Sequence, residues 1–339
     1  MACAEDEALP LSSYTATTWT PREGAPTYIT GLAQTTDGTL WIASPSGLFQ
    51  FDGIRFRRYG DAPNEVLASQ FVRTLTAPAT GGLWIGFQLG GVAFLEDGTL
   101  TTYSVKQGLP EGTVRKILVD RNGTVWIATT AGLGKLVNGR WQPIEELPAD
   151  AAALLETRAG VIWTRVGKGL FFKRPGEEVF TRLADSDSYS NVDDAGLAEA
   201  PDGALWAIDA QRGLRTVTGD AVSYETDTTN RGDYAHLLFE PDGVLWYFLG
   251  YEVHRLANPQ ALRVPANLAR LRNEKLGEAA GLATPESIFS ALRDREGNVW
   301  LGASDGLIRL ARASFHVAKI ATLQGFTLSS SPDDSIVWL

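Results

Sequence analysis

Eight polar or aromatic side chains in this sequence could bind a ligand. They provide guanidinium, ammonium, amide, carboxylate, imidazole and phenol groups, a mixture that suits a hydroxylated or anionic small molecule. They occur where the repeating units of the chain differ most, at the start of a unit's first strand or between its second and third strands. The candidate ligand-binding residues are Arg73, Gln88, Arg115, Lys168, Asp209, Gln211, His236 and Tyr251. For each of them, ordinary loop variability is the alternative interpretation.

The sequence contains no complete catalytic or metal-binding motif. His236, His254 and His316 are isolated from one another, and the single cysteine, Cys3, offers no zinc-thiolate site. The adjacent aspartates at 193–194 would point to opposite faces of a strand, so they do not form an acid–base pair. We therefore assign no catalytic residue, metal or cofactor. A catalytic pair assembled from distant units remains an open alternative.

An internal repeat supplies the elements that would position these side chains. In the first unit an apolar run leads to the turn Asp37-Gly38, then to Trp41 and to a Gly-Leu pair at 47–48. A tryptophan recurs in phase seven times, at intervals of 37 to 54 residues. We expect these indoles to pack between neighbouring units rather than against a ligand. They are Trp41, Trp84, Trp126, Trp163, Trp206, Trp246 and Trp300.

Each unit is predicted to form four short antiparallel strands. Turn dipeptides such as Asn122-Gly123 supply the backbone conformation that a two-residue hairpin requires. Sheets of this size must stack to bury their faces, and radial stacking closes them into a ring. The sequence therefore predicts an all-β fold, a seven-bladed β-propeller of four-stranded antiparallel blades. The segment Ser13–Thr20 alternates like a fourth strand, and we expect this N-terminal strand to close the ring by completing the last blade.

The predicted domain organisation has three parts. Residues 1–12 are a disordered N-terminus or a signal-peptide remnant, residues 13–320 the β-propeller, and residues 321–339 the start of a further, truncated repeat. A longer interval between Trp246 and Trp300 contains an insertion at 258–283. This insertion is either a widened loop or a lid over one face of the ring.

Composition and charge restrict the partners of the protein. The net charge is −10 and no run of Lys and Arg occurs, so a nucleic-acid partner is not expected. No apolar stretch reaches the roughly eighteen residues that a membrane-spanning helix needs, so a membrane would be reached only through segments outside this chain. The start Ala2-Cys3-Ala4 resembles the end of a secretory signal, with a polar terminus as the alternative.

Several strings of the chain resemble the two-component regulator propeller repeat. The matching segments are Thr36–Ala43, Gly47-Leu48, Val119–Ala128 and Leu292–Gly302. The resemblance implies the periplasmic sensor of an inner-membrane signalling protein, commonly a hybrid histidine kinase and sometimes a diguanylate cyclase, with its phosphorelay output outside this chain. It also implies a small-molecule partner such as an oligosaccharide or another polar ligand. A homodimer of the full-length receptor is a further expectation.

Two other functions are compatible with the sequence. A ring of this kind could be an enzyme, such as a lyase or a glycan-cleaving enzyme, in which a few central polar residues carry out the chemistry. It could also be a protein-interaction platform, which should expose a large apolar patch on one face. Saturable ligand binding without turnover would favour the sensor over the enzyme.

Overall fold

The computed structural model describes residues 13–62, 65–147, 150–183, 196–209, 213–217, 235–250, 252–257, 259, 274–275, 287–312, 329–330 and 337–338. These residues form antiparallel sheets arranged as the seven blades of a β-propeller. The predicted fold class is therefore confirmed. Besides strands, the described ranges contain two short 3-10 turns, Pro21–Glu23 and Val105–Gln107.

The strands are numbered in chain order, beginning with β1 (Tyr14–Trp19). Blade 1 contains β2 (Gly31–Gln34), β3 (Leu40–Ser44), β4 (Gly47–Phe51) and β5 (Phe56–Tyr59). Blade 2 contains β6 (Val72–Thr76), β7 (Leu83–Phe87), β8 (Val92–Glu96) and β9 (Thr99–Tyr103). Blade 3 contains β10 (Val114–Val119), β11 (Val125–Thr129), β12 (Gly132–Val137) and β13 (Arg140–Pro143).

The remaining blades follow the same order from the centre outward. Blade 4 contains β14 (Ala151–Glu156), β15 (Ile162–Val166), β16 (Gly169–Lys173) and β17 (Thr181–Arg182). The described part of blade 5 contains β18 (Gly196–Glu199), β19 (Leu205–Asp209) and β20 (Gly213–Thr216). Blade 6 contains β21 (Ala235–Phe239), β22 (Leu245–Leu249), β23 (Glu252–Leu256) and β24 (Glu274–Lys275). Blade 7 contains β25 (Ile288–Arg293), β26 (Val299–Ala303) and β27 (Leu307–Arg312).

The N-terminal strand closes the ring, as predicted. Strand β1 pairs with β27 in antiparallel register, from Tyr14 opposite Arg312 to Trp19 opposite Leu307. The indole of Trp19 also stacks on Trp300 of the same blade, with ring centroids 5.7 Å apart. The first and last parts of the ring are thus joined within one sheet, and the outer strand of blade 7 comes from the other end of the chain.

The repeating tryptophans all lie in the core, each no more than 6% exposed. Trp126 of blade 3 packs with Leu154, Ile162 and Val166 of blade 4, so its indole fills the space between two blades. The indole nitrogen of Trp126 donates to the Asp120 carboxylate at 2.9 Å. This carboxylate also accepts the backbone N–H groups of the following turn, and it therefore ties the turn to the core.

Exposed arginines join neighbouring blades on the face where the first strand turns into the second. Arg121 of blade 3 donates to the Glu156 carboxylate of blade 4 at 2.6 Å and to the Thr157 carbonyl at 2.7 Å. Arg295 of blade 7 donates in the same way to the Thr36 carbonyl of blade 1, at 2.9 Å. Each exposed contact is worth little by itself. Contacts of this kind occur both between blades 3 and 4 and between blades 7 and 1.

The predicted terminal segments lie beyond the blades described above, whereas the insertion at 258–283 contributes Glu274–Lys275 to blade 6 as β24. Residues 1–12 and most of the insertion at 258–283 lie outside the described residues. Near the C-terminus, β28 (Ser329–Ser330) pairs with β29 (Val337–Trp338). The boundaries at 12, 320 and 339 stay predictions. Within the described residues, no helix has the length and hydropathy to cross a bilayer.

Candidate ligand-binding funnel

Four blades carry a β-bulge at the second residue of the innermost strand. The pairing register shifts between the first and third residues of β6, β10, β14 and β25. A bulge inserts one extra residue into a strand and re-aims the side chain at that position. The four bulge residues are Arg73, Arg115, Ala152 and Phe289.

The bulges surround the opening of the ring at the face where the innermost strands begin. A depression of about 230 Å³ lies there, and we call it the funnel. It is lined by Tyr28, Thr30, Pro45, Arg73, Gln88, Thr113, Arg115, Thr130 and Phe289. An adjoining central channel of about 140 Å³ runs between the innermost strands of all seven blades. The funnel therefore belongs chiefly to blades 1, 2 and 3, with Phe289 from blade 7.

The structure brings together some of the sequence-predicted ligand-binding residues. Arg73, Gln88 and Arg115 line the funnel, whereas His236 lines the central channel with the two arginines. Lys168 is exposed on the turn between β15 and β16, and it lines neither space. Asp209 is the last residue of β19. Gln211 and Tyr251 lie outside the described residues.

Two largely buried guanidinium groups face the funnel. Arg73 is 8% exposed, and the Arg115 side chain is 12% exposed. The Nη1 atom of Arg115 donates to Asp150 Oδ1 at 2.6 Å, and this ion pair holds the guanidinium in place. Asp150 has a left-handed backbone, with φ 69°, which aspartate tolerates better than most residues.

Backbone and hydroxyl groups hold the wall of the funnel together. Thr113 Oγ1 donates to the Gln88 carbonyl at 2.7 Å, and the Thr113 amide donates to Thr130 Oγ1 at 3.0 Å. Thr30 Oγ1 donates to the Val72 carbonyl at 3.1 Å. These bonds connect blades 1, 2 and 3. The positions of Arg73 and Arg115 are therefore preorganised rather than left to flexible loops.

The aromatic side of the funnel has a strained backbone. Tyr28 adopts φ 52°, an unusual conformation for a bulky residue, and its amide donates to the Ser304 carbonyl of blade 7 at 3.1 Å. Its ring lies 5.8 Å from that of Phe289, measured between centroids. Such strain persists only where the surroundings enforce it, and it is concentrated at functional sites.

The buried acidic residues have a structural explanation. Asp120, Glu240 and Asp294 are 8%, 2% and 5% exposed, and each accepts a hydrogen bond from the tryptophan six residues later. These acceptors were not identified from the sequence, although their offset of six residues from the tryptophan is visible in it. Arg165 was not identified either; it is a fully buried residue of β15 and donates to the Gly167 carbonyl at 2.8 Å. A signal was present in the repeat, because the position two residues after the tryptophan is apolar or glycine in the other six units, namely Ala43, Gly86, Ala128, Ile208, Phe248 and Gly302.

The described residues contain no cluster of three His, Cys, Asp or Glu side chains able to hold a metal ion. The fold and the funnel together define a seven-bladed β-propeller with two largely buried arginines at an opening of its central channel. The two component regulator propeller model matches residues 108–131, which span the start of blade 3 up to Ala131. The resemblance inferred from the sequence is therefore confirmed for this repeat.

Solved structures with the same fold include regulators and enzymes. One is the extracellular domain of a protein described as a hybrid two component system of B. thetaiotaomicron, with a TM-score of 0.69 and 16% identity over 94% of this chain. This chain spans only 45% of that structure. A streptogramin B lyase has a TM-score of 0.66 and 15% identity, over 88% of this chain and 97% of the lyase.

A third similar structure is a catalytically inactive histidine variant of virginiamycin B lyase from Staphylococcus aureus with quinupristin. It has a TM-score of 0.63 and 14% identity, over 88% of this chain and 98% of that chain. No curated protein sequence matches this chain. At these identities the solved structures establish the fold alone.

Proposed function

We propose that this propeller is the extracytoplasmic, ligand-sensing region of a membrane-bound signalling protein, and that its funnel binds a small anionic molecule. The observation that carries the proposal is the pair of bulge arginines, Arg73 and Arg115, at one opening of the ring. The matched regulator repeat at 108–131 includes Arg115 itself, so the repeat and the candidate site coincide in blade 3.

Binding at this place would act on several blades at once. A ligand that contacts Arg73, Arg115 and Phe289 bridges blades 2, 3 and 7. Such a ligand would therefore stabilise one relative arrangement of these blades over others. A ligand shifts a conformational equilibrium only when it binds one state more tightly than the other. We assign the output to a histidine kinase or diguanylate cyclase outside this chain. The proposal includes a periplasmic location, an inner-membrane anchor beyond this chain and a homodimeric receptor.

Calorimetric titration with matched acids and amides tests the binding site. The purified chain is titrated with glucuronate, glucuronamide, N-acetylglycine and N-acetylglycinamide. We expect at least one acid to bind saturably, about 10-fold or more tightly than its amide, because a charge-assisted bond to arginine is lost in the amide. Arg73→Gln and Arg115→Gln should weaken acid binding by a similar factor.

Lys168→Gln is the matched control, since it removes the same charge from the same face without touching the funnel. The affinity of the Lys168→Gln variant for the acid should equal that of the wild type. Binding that is absent for every acid, or that is weakened equally by Lys168→Gln, would contradict the proposed site.

A lyase is the second candidate function. It is supported by the lyase structures with this fold and by His236, an imidazole that lines the central channel. Chromatography of the ligand after long incubation distinguishes the two functions. The sensor predicts unchanged ligand. Turnover that disappears in His236→Ala would replace the sensor by an enzyme.

A further inference from the structure

Three arginines that bridge neighbouring blades share one position in the repeat, five residues before the blade tryptophan. Each of their guanidinium groups donates to a backbone carbonyl in the first turn of the next blade. These arginines are Arg121, Arg158 and Arg295, of blades 3, 4 and 7. In blade 6 the same position holds Pro241. A proline side chain has no hydrogen-bond donor, so blade 6 cannot form this bridge to blade 7.

A pocket lies between the first turns of blades 6 and 7, on the face opposite to the funnel. Its volume is about 330 Å³, which is within the range of small-molecule sites. We call it the seam pocket. It is lined by Pro241 and Asp242 of blade 6 and by Arg293, Glu296, Gly297, Asn298 and Arg312 of blade 7.

Arg293 contributes a guanidinium group to the seam pocket. A Cβ atom added to Gly297 would lie 3.3 Å from Arg293 Nη2, so this guanidinium lies against the turn glycine of its own blade. The guanidinium of Arg121 lies in the same way against Gly160 of the next blade, and it pairs with the Glu156 carboxylate. Arg293 pairs with no carboxylate among the described residues, and its buried Nε–H group has no hydrogen-bond partner there. A buried charged donor without an acceptor is unfavourable, and a carboxylate would supply the missing acceptor.

The blade 6 part of the seam pocket is acidic. Asp242 and the buried Glu240 both pair with Arg312, so two carboxylates share one guanidinium. The Asp242 side chain is 45% exposed, and its oxygens can accept further hydrogen bonds. Asn298 donates its side-chain N–H to Asp294 at 2.7 Å, which leaves its side-chain carbonyl oxygen as another acceptor at the pocket. These acceptors suit a group that donates several hydrogen bonds, such as an ammonium group.

From this arrangement we propose that the seam pocket binds a small zwitterion that carries a carboxylate and an ammonium group, as α-amino acids do. The carboxylate lies at Arg293, and the ammonium group lies at Asp242 and the side-chain oxygen of Asn298. A simple anion would be repelled by Asp242 and Glu296, and a simple cation by Arg293 and Arg312. The ligand connects blades 6 and 7 where the bridging arginine is replaced. This site is separate from the funnel, so the inference does not depend on the proposed function.

Calorimetric titration of the purified chain tests the inference. The ligands are L-alanine and L-glutamine, the α-amide of each, which lacks the carboxylate, and the N-acetyl derivative of each, which lacks the ammonium group. We expect at least one amino acid to bind saturably, about 10-fold or more tightly than its two derivatives. Arg293→Gln and Asp242→Asn should each weaken this binding by a similar factor, because each variant removes one of the two charges that face the ligand.

Arg140→Gln is the matched control for Arg293→Gln, because Arg140 is exposed on β13 and does not line the seam pocket. The affinity of this variant for the amino acid should equal that of the wild type, and so should that of Arg115→Gln. Binding that is lost in Arg115→Gln but unchanged in Arg293→Gln would place the amino acid in the funnel and overturn the inference. Equally tight binding of a derivative, or no binding of either amino acid, would overturn it as well.

Discussion

The closure of the ring by β1 can be tested through one hydroxyl group. The Tyr14 hydroxyl of β1 donates to Glu240 Oε1 of blade 6 at 2.8 Å. The same carboxylate accepts the indole N–H of Trp246 at 2.7 Å and pairs with Arg312 at the end of β27. Glu240 is only 2% exposed, so this buried group joins the N-terminal strand, the last strand of blade 7 and the neighbouring blade. Tyr14→Phe removes one of its hydrogen bonds and preserves the ring packing.

The expected loss of stability follows from the burial of the acceptor. A hydrogen bond to a charged group contributes about 1.5 to 3 kcal/mol, and Glu240 keeps two other partners, so we expect a loss of about 2 kcal/mol. With an unfolding entropy of about 2.1 cal/mol/K per residue, a chain of 339 residues should lose about 3 °C in melting temperature. Urea unfolding followed by tryptophan fluorescence, together with calorimetry, measures both quantities.

Tyr59→Phe is the matched control, because Tyr59 is 6% exposed, close to the 4% of Tyr14, and its hydroxyl bonds to no carboxylate among the described residues. It should lose less than about 1 kcal/mol. A double-mutant cycle of Tyr14→Phe with Glu240→Gln should give a coupling energy above about 0.5 kcal/mol. Equal losses in the two tyrosine variants, or a coupling energy of zero, would refute the closing role of this contact.

Three further predictions concern packing and pH. Trp126→Ala should lose about 3 to 5 kcal/mol of unfolding free energy as a large core truncation. Trp126→Phe should lose about 1 to 3 kcal/mol, because Asp120 then lacks its indole donor. Urea unfolding measures both losses, and an unchanged midpoint for Trp126→Ala would contradict the packing role. Gly86→Ala should lose about 1 to 3 kcal/mol of unfolding free energy, because the added Cβ would lie 2.5 Å from Val114 Cγ1. A melting temperature of this variant equal to that of the wild type would show that the two blades can separate slightly. Burial, and then the charge of Glu240, raise the pKa of Tyr14 above 10 in the folded state. The contribution of Tyr14 to stability is therefore complete below about pH 10 and is lost as pH rises through the raised pKa. Between pH 8 and 11 the free energy of unfolding should fall more steeply for the wild type than for Tyr14→Phe, and parallel curves would contradict this.

The blades could be predicted because their signals are local and repeated. Turn dipeptides such as Asn122-Gly123 and the in-phase tryptophans place three of the four strands of each unit without any knowledge of distant contacts. Closure by β1 was also predictable, because a fourth strand without a blade of its own must pair elsewhere. The arginine contacts between blades, such as that of Arg121 with Glu156, were not identified, since a surface arginine has the same appearance in the sequence whether or not a neighbouring blade offers an acceptor.

The candidate site was only partly predictable from the sequence. Arg73 and Arg115 stood out because they break the repeat, and the structure places both at the funnel. The bulges that aim them could not be inferred, because an extra residue in a strand becomes visible only when the pairing register is known. Lys168 occupies a turn equivalent to that of Gln88, yet its side chain lies outside the funnel.

Hydrogen exchange with and without a bound acid tests most directly whether the bulges form the sensing site. The segments 71–74, 113–116 and 287–290 each contain a bulge residue or its neighbours. We predict that the tightest-binding acid of the titrations slows amide exchange in these three segments, and that Arg115→Gln abolishes the effect. Protection confined to the outer strands of the blades, or protection that persists unchanged in Arg115→Gln, would contradict the account.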